Sequence, residues 1–128
     1  MSFVNSQEDA VTSAAEHLEM QLVQFARGVA VYEMPARFAE NSVLVAFAET
    51  AMNAAAATAV PDQGRSADMA TLDLRARFDA RVPADARTLR AEAIVVRSDG
   101  ERRVRVEADV LADGERIASF EANSGLTL

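Results

Sequence analysis

At 128 residues the chain can bury the core of one domain, and it has no cysteine, which removes disulfides, thiol nucleophiles and cysteine-held metals. The formal net charge is -7, all 13 basic residues are arginine, and there is one tyrosine and no tryptophan. Nucleic acid is a poor partner for such a surface, because phosphate neutralisation and base stacking need excess positive charge and aromatic rings.

The first ten residues carry Glu8 and Asp9 and lack a basic stretch followed by an apolar run, so no secretory leader is expected. Together with the missing cysteines this fits a cytoplasmic protein. Ser6 followed by Asp9 resembles a capping box, and Val11, Ala15, Leu18 and Leu22 then recur at helical spacing. These predict a short amphipathic N-terminal helix. Gly28 opens a different pattern, in which Val29, Val31 and Tyr32 read as a strand closed by Met34 and Pro35.

A long helix follows, with Asn41 or Ser42 as its cap. Val43, Leu44, Val45, Phe47 and Met52 are spread around its circumference, so other elements must enclose it. From Asn41 to Val60 its one charged residue is Glu49. The run is mostly alanine and includes Thr50, Asn53 and Thr58, whereas a membrane span needs about 20 strongly apolar residues. The reading is a buried core helix and no membrane partner. Pro61 to Gly64 end it and begin a loop reaching Asp68.

Beyond the loop the period is two. Leu72, Leu74, Ala76 and Phe78 are expected on one face, and Thr71, Asp73, Arg75 and Arg77 on the other. Leu89, Ala91, Ala93 and Val95 form the next inward row, and Val104, Val106, Ala108 and Val110 the one after. Asp99-Gly100 and Asp113-Gly114 mark tight hairpins, and a last strand runs from Ile117 to Leu128, with Gly125 as a candidate bulge. Residues 1–128 thus form a single α+β domain. Its antiparallel five-stranded sheet wraps around one long central helix, with a short helix in front.

Glu49 is the first candidate for chemistry. A lone carboxylate in an apolar helix is costly unless it is paired, protonated or facing a cavity, and desolvation raises its pKa toward that of a useful base. Ser42, Glu49 and Asn53 share one helix face, at successive offsets of about -20° and +40°. The competing reading makes Glu49 an ion pair at an edge or a dimer seam. Backbone amides at Ser42, Val43 and Leu44 can stabilise an oxyanion, as any helix start can. His17 is the only histidine and has no partner at metal or triad spacing, so no metal or other cofactor is expected. The strand arginines, Arg75 and Arg77 with Arg87, Arg90 and Arg97, fit a solvated face paired with Asp73 and Glu92.

This plan resembles the hotdog-fold thioesterases, particularly their phenylacetyl-CoA thioesterase-like branch. The likeness is carried by Leu44 to Ala51, with its acidic-Thr-Ala ending, by Thr71-Leu72-Asp73-Leu74, by Arg77-Phe78 and Val82-Pro83, and by the two Asp-Gly hairpins. It implies a hotdog domain that dimerises and can assemble further as a dimer of dimers (a homotetramer), with an acyl-CoA or similar thioester bound at the interface. It further implies Glu49 of the partner subunit as base or nucleophile, Asn41, Ser42 and Val43 at the substrate carbonyl, and Asn53 orienting water. Open sheet edges favour the dimer on physical grounds too, because pairing them across a two-fold removes them. One departure stands out. Where the family has His-Gly-Gly or His-Ala-Gly, this chain has Glu40, Asn41 and Ser42. A thioester- or lipid-binding protein without turnover, or a structural dimer, therefore remains beside the hydrolase.

Overall fold

The computed structural model describes residues 18–37, 40–59, 69–99 and 103–126. The chain has the hotdog fold, with one long helix packed against a sheet of six strands. In order these are β1 (Gln21–Ala26), β2 (Val29–Pro35), α1 (Asn41–Ala59), β3 (Met69–Phe78), β4 (Thr88–Asp99), β5 (Arg103–Ala112) and β6 (Glu115–Leu126). They form one antiparallel sheet in the order β1-β2-β4-β5-β6-β3.

Five strands were expected, and β1 is the addition. Leu18 and Leu22, placed in a helix by their spacing, fall in a turn and in β1 instead. Glu19 between them has φ 57°, which breaks a right-handed helix, and its carboxylate pairs with Arg37 at 2.6 Å. Val23 is the extra residue of a bulge between Leu22 and Gln24, so β1 lacks the strict alternation that marks a strand. Ser6, Asp9, Val11, Ala15, His17 and the loop expected from Pro61 to Asp68 lie outside the described residues.

The core is the concave side of the sheet against one side of α1. Leu89, Ala91 and Ala93 of β4 and Val104, Val106, Ala108 and Val110 of β5 are buried, as their period required. Opposite them α1 buries Leu44, Phe47, Ala48, Ala51, Met52, Ala55 and Ala56. Alanine on both surfaces lets the helix axis lie close to the strands, and dense packing then takes the place of large side chains. By length and composition α1 could cross a membrane, yet Phe47, Ala48 and Ala51 are completely enclosed by the sheet. The opposite side of α1 is half-exposed, so the sheet encloses this helix on one side rather than all round.

The turns follow from local chemistry. Asp113 (φ 48°) and Gly114 (φ 88°) form the two-residue link between Ala112 and Glu115, in the left-handed conformations a type I′ hairpin requires. The Asp113 carboxylate also accepts the Arg87 and Thr88 amides at 3.0–3.2 Å, which ties this hairpin to the start of β4. The first Asp-Gly link is longer than two residues, because Asp99 pairs with Arg103. Gly125 keeps regular register with Ala70 and Arg103, so it is no bulge; the extra residue of β6 is Ile117.

Candidate functional site

Position along α1 divides the helix into flanks, and two hydrogen bonds settle which way each flank faces. Thr58 Oγ1 accepts the Gly28 amide at 2.6 Å, placing that side of α1 against the β1–β2 turn. The Thr71 hydroxyl donates to Asn53 Oδ1 at 3.3 Å, placing the Asn53 side against β3. Five residues separate Asn53 from Thr58, which is about 140° of rotation, so the two bonds fix opposite flanks. Glu49 lies one turn before Asn53, about 40° away, and therefore belongs to the β3 flank with Ser42.

The structure thus brings Ser42, Glu49 and Asn53 to one flank. Ser42 is exposed, while Glu49 and Asn53 are half-buried. The all-round enclosure expected of the helix is not found at Glu49. Among the described residues no hydrogen bond or ion pair reaches its carboxylate, which leaves it open at the β3 side of the helix.

The helix start differs from the expected cap. Glu40 is the capping residue, since its carbonyl accepts the amides of Val43 and Leu44, each at 3.0 Å. Those two amides are occupied and cannot serve as free oxyanion donors. Among the described residues the amides of Asn41 and Ser42 find no backbone acceptor, so they are the donors that remain. The Val43 side chain packs against the core, and six residues of rotation place it about 120° from Glu49. It is a packing residue away from the carboxylate flank.

Sequence reading missed Thr71. Its parity put it with Asp73, Arg75 and Arg77 on the outer face, but a bulge at Leu72 changes that: Thr71 pairs with Ser124, and Asp73 with Asn123. The extra residue turns Thr71 toward the helix and leaves Leu72 exposed at 54%. Ser124 beside it is fully buried, and its hydroxyl has no hydrogen-bond partner. Asn53, Thr71 and Ser124 therefore form a polar patch inside an otherwise apolar concavity. No signal short of the bulge itself would have revealed it.

The arginines form an outer-face network. Arg90 bonds Glu92 at 2.8 Å and Glu33 at 3.1 Å, and these bonds, that to Glu92 first, raise its pKa against the opposing effect of desolvation. Glu121 holds Arg105 at 2.6 Å and Arg75 at 3.6 Å, and Asp73 accepts the Asn123 amide at 2.9 Å. Two open clefts of about 390 and 400 Å³ lie along β3 and β6, lined by Arg75 and Glu121 in both cases. Neither is lined by the helix residues above.

Comparison with known proteins agrees with this architecture. No family model matches the sequence, and no curated protein matches it. Solved structures do. A point mutant of the phenylacetic acid degradation protein PaaI from Thermus thermophilus is similar over 88% of this chain and 97% of its own, with TM-score 0.76 and 22% identity. A mutant thioesterase from Staphylococcus aureus covers 91% of this chain and 99% of its own, with TM-score 0.77 and 17% identity. A thioesterase family protein from Silicibacter pomeroyi covers 94% and 95%, with TM-score 0.76 and 18% identity. The shared property is the hotdog fold.

Proposed function

We propose that this chain is a thioesterase-like hydrolase acting on a small or medium acyl-CoA or similar thioester. The observation that carries the proposal is Glu49: it is the one charged residue of α1, half-buried, without a partner among the described residues, and on the same flank as Ser42 and Asn53. A carboxylate held on a rigid helix at the rim of a core is a fitting general base. The thioesterase names of several structural neighbours support the same chemistry.

In this reading the thioester carbonyl oxygen points at the start of α1. Glu49 of the partner subunit takes a proton from water as the water oxygen bonds to the carbonyl carbon, and the amides of Asn41 and Ser42 stabilise the oxyanion. Collapse breaks the carbon–sulfur bond, and the thiolate takes the proton back, giving a carboxylic acid and a free thiol. Attack by Glu49 itself would expel the thiolate and give a mixed anhydride; water then opens it to the carboxylic acid and the freed Glu49 carboxylate, and the proton released goes to the thiolate. The Asn53 amide, oriented through its bond from Thr71, positions the attacking water. The protein works as a cytoplasmic homodimer, which can pair further into a tetramer, with the site at the seam between copies.

One observation favours binding without turnover. The helix begins with Glu40, Asn41 and Ser42, so no glycine lets a substrate carbonyl approach the backbone closely. Thiol release from a panel of acyl-CoA thioesters decides between the readings, with the native protein compared against Glu49→Gln. Loss of a general base costs about 10²–10⁴-fold in turnover. A drop of that size with the fold intact supports the hydrolase. Equally negligible rates in both proteins, with retained acyl-CoA binding, would leave a binding protein.

A further inference from the structure

Ser124 is fully enclosed, yet among the described residues its hydroxyl has no hydrogen-bond partner. A buried hydroxyl left unpaired is destabilising and uncommon. Its direct partner across the β3–β6 ladder is Thr71, which faces the concavity only because the bulge at Leu72 turns it there. Thr71 spends its proton on Asn53 Oδ1, which leaves lone pairs on the Thr71 oxygen to accept another bond.

The two hydroxyls are therefore matched but unjoined. Directly paired residues have Cβ atoms about 4.5–5.5 Å apart, close enough to share a bonding partner. One further hydroxyl between them could accept from Ser124 and donate to Thr71, in two bonds of about 2.7–2.8 Å each. The concavity around this pair is apolar: Val104 adjoins Ser124 on β5, and Leu74 and Ala122 form the next inward pair.

We infer that Ser124, with Thr71, binds a hydroxyl at the far end of the acyl group, so that the preferred ligand is a short aliphatic thioester with a terminal hydroxyl. The inference rests on the thioester site of the proposed function and names the acyl group that site takes. α1 starts beside the Pro35 end of the sheet and reaches Thr71 at the other, so Glu49 lies one turn, about 6 Å, back from Asn53 toward Leu74. An acyl chain leaving the thioester near Glu49 thus runs over Leu74 and Ala122 and ends between Thr71 and Ser124. Glu49, Thr71 and Ser124 belong to one chain and one flank, so the subunit that supplies the carboxylate also supplies the hydroxyl pair.

The occupant has to be neutral. Arg75 and Arg77 of β3 stand on the outer face, held by Glu121 and Asp79, so an acidic chain end would find no cation. A lone water would have only these two bonds in an apolar strip, fewer than the about three that buried waters usually make. An acyl chain adds the burial of its own methylenes.

Two coenzyme A thioethers test this, one carrying a heptyl chain and the other a hexyl chain with a terminal hydroxyl. They match in length and cannot be hydrolysed, so calorimetry on the native protein reads binding apart from turnover. A purely apolar pocket favours heptyl, because the hydroxyl is costly to desolvate. The native protein should instead bind the hydroxyhexyl compound about tenfold more tightly than the heptyl one, and Ser124→Ala should return the preference to heptyl. Heptyl preferred by the native protein, or the same preference in both proteins, overturns the inference. Binding of neither compound overturns it together with the thioester reading on which it rests. Thiol release from heptanoyl-CoA by a protein that favours heptyl keeps the hydrolase and sinks the hydroxyl site. Hydroxyl preference without thiol release from any acyl-CoA does the reverse.

Discussion

In β4 and β5 the inward positions from Leu89 to Ala93 and from Val104 to Ala112 are apolar, whereas the inward row of β3 and β6 ends in Thr71 and Ser124. The central pair exists to bury α1, and a break in alternation within those rows would put a polar side chain into the tightest part of the core; the bulge of this pair, at Val96, falls beyond them. The outer pair lies where the sheet meets the open flank of the helix. There a bulge is tolerated, a polar patch forms, and Glu49 and Asn53 find room. The bonds to Thr58 and Asn53 mark two flanks of one helix about 140° apart, and the candidate chemistry lies on the Asn53 flank.

The contrast breaks most visibly at the centre. Phe47 is fully enclosed between α1 and the sheet, so Phe47→Ala should cost about 3–5 kcal/mol in a urea titration. Ala51 has no room beside it, and Ala51→Leu should cost about 1–3 kcal/mol by forcing the helix off the strands. Glu49→Leu, two residues earlier but on the other flank, should leave stability within about 0.5 kcal/mol, as for a surface site. A large loss in that variant would mean that Glu49 makes a structural ion pair and would count against its catalytic role.

Most of the central architecture was legible because its signals are local. Period-two rows fixed the faces of β4 and β5, and a type I′ hairpin demands a dipeptide such as Asp113-Gly114. The misses share a physical cause. Bulges at Val23 and Leu72 shift parity by one residue, and parity is all that a sequence offers for assigning a face. That shift hid β1 and put Thr71 on the wrong side of β3. The cap was misplaced because Glu40 serves through its backbone carbonyl, which any residue has, rather than through a side chain typical of caps. At the candidate site, the stripe of Ser42, Glu49 and Asn53 was readable from helix geometry. The loss of the Val43 and Leu44 amides to Glu40 was not.

Smaller effects sharpen the comparison within the polar patch. Thr71→Val removes the hydroxyl that bonds Asn53 and should cost about 0.5–1.5 kcal/mol. Ser124→Ala should be neutral or stabilising by up to about 1 kcal/mol, because the buried hydroxyl it removes is unpaired. Both are measured by thermal or urea unfolding at constant pH. A costly Ser124→Ala would show that the hydroxyl is satisfied in solution and that the patch is a fully bonded network.

The smallest effect belongs to the far side of the sheet, at Tyr32. It sits in β2 between Leu22 and Ala91, half-buried, and burial raises its phenol pKa above the ordinary 10.0. In the unfolded chain the phenol ionises at its ordinary value, while in the folded chain it holds its proton to higher pH. The unfolded state therefore sheds protons first, and stability must fall as pH rises from about 10 through the folded pKa. Below that window the full contribution is present. Tyr32→Phe cannot ionise and should flatten this part of the alkaline stability curve, whereas Thr71→Val, on the β3 side, should leave its slope unchanged. Equal slopes for native protein and Tyr32→Phe would show that Tyr32 is as well solvated in the folded chain as in the unfolded one.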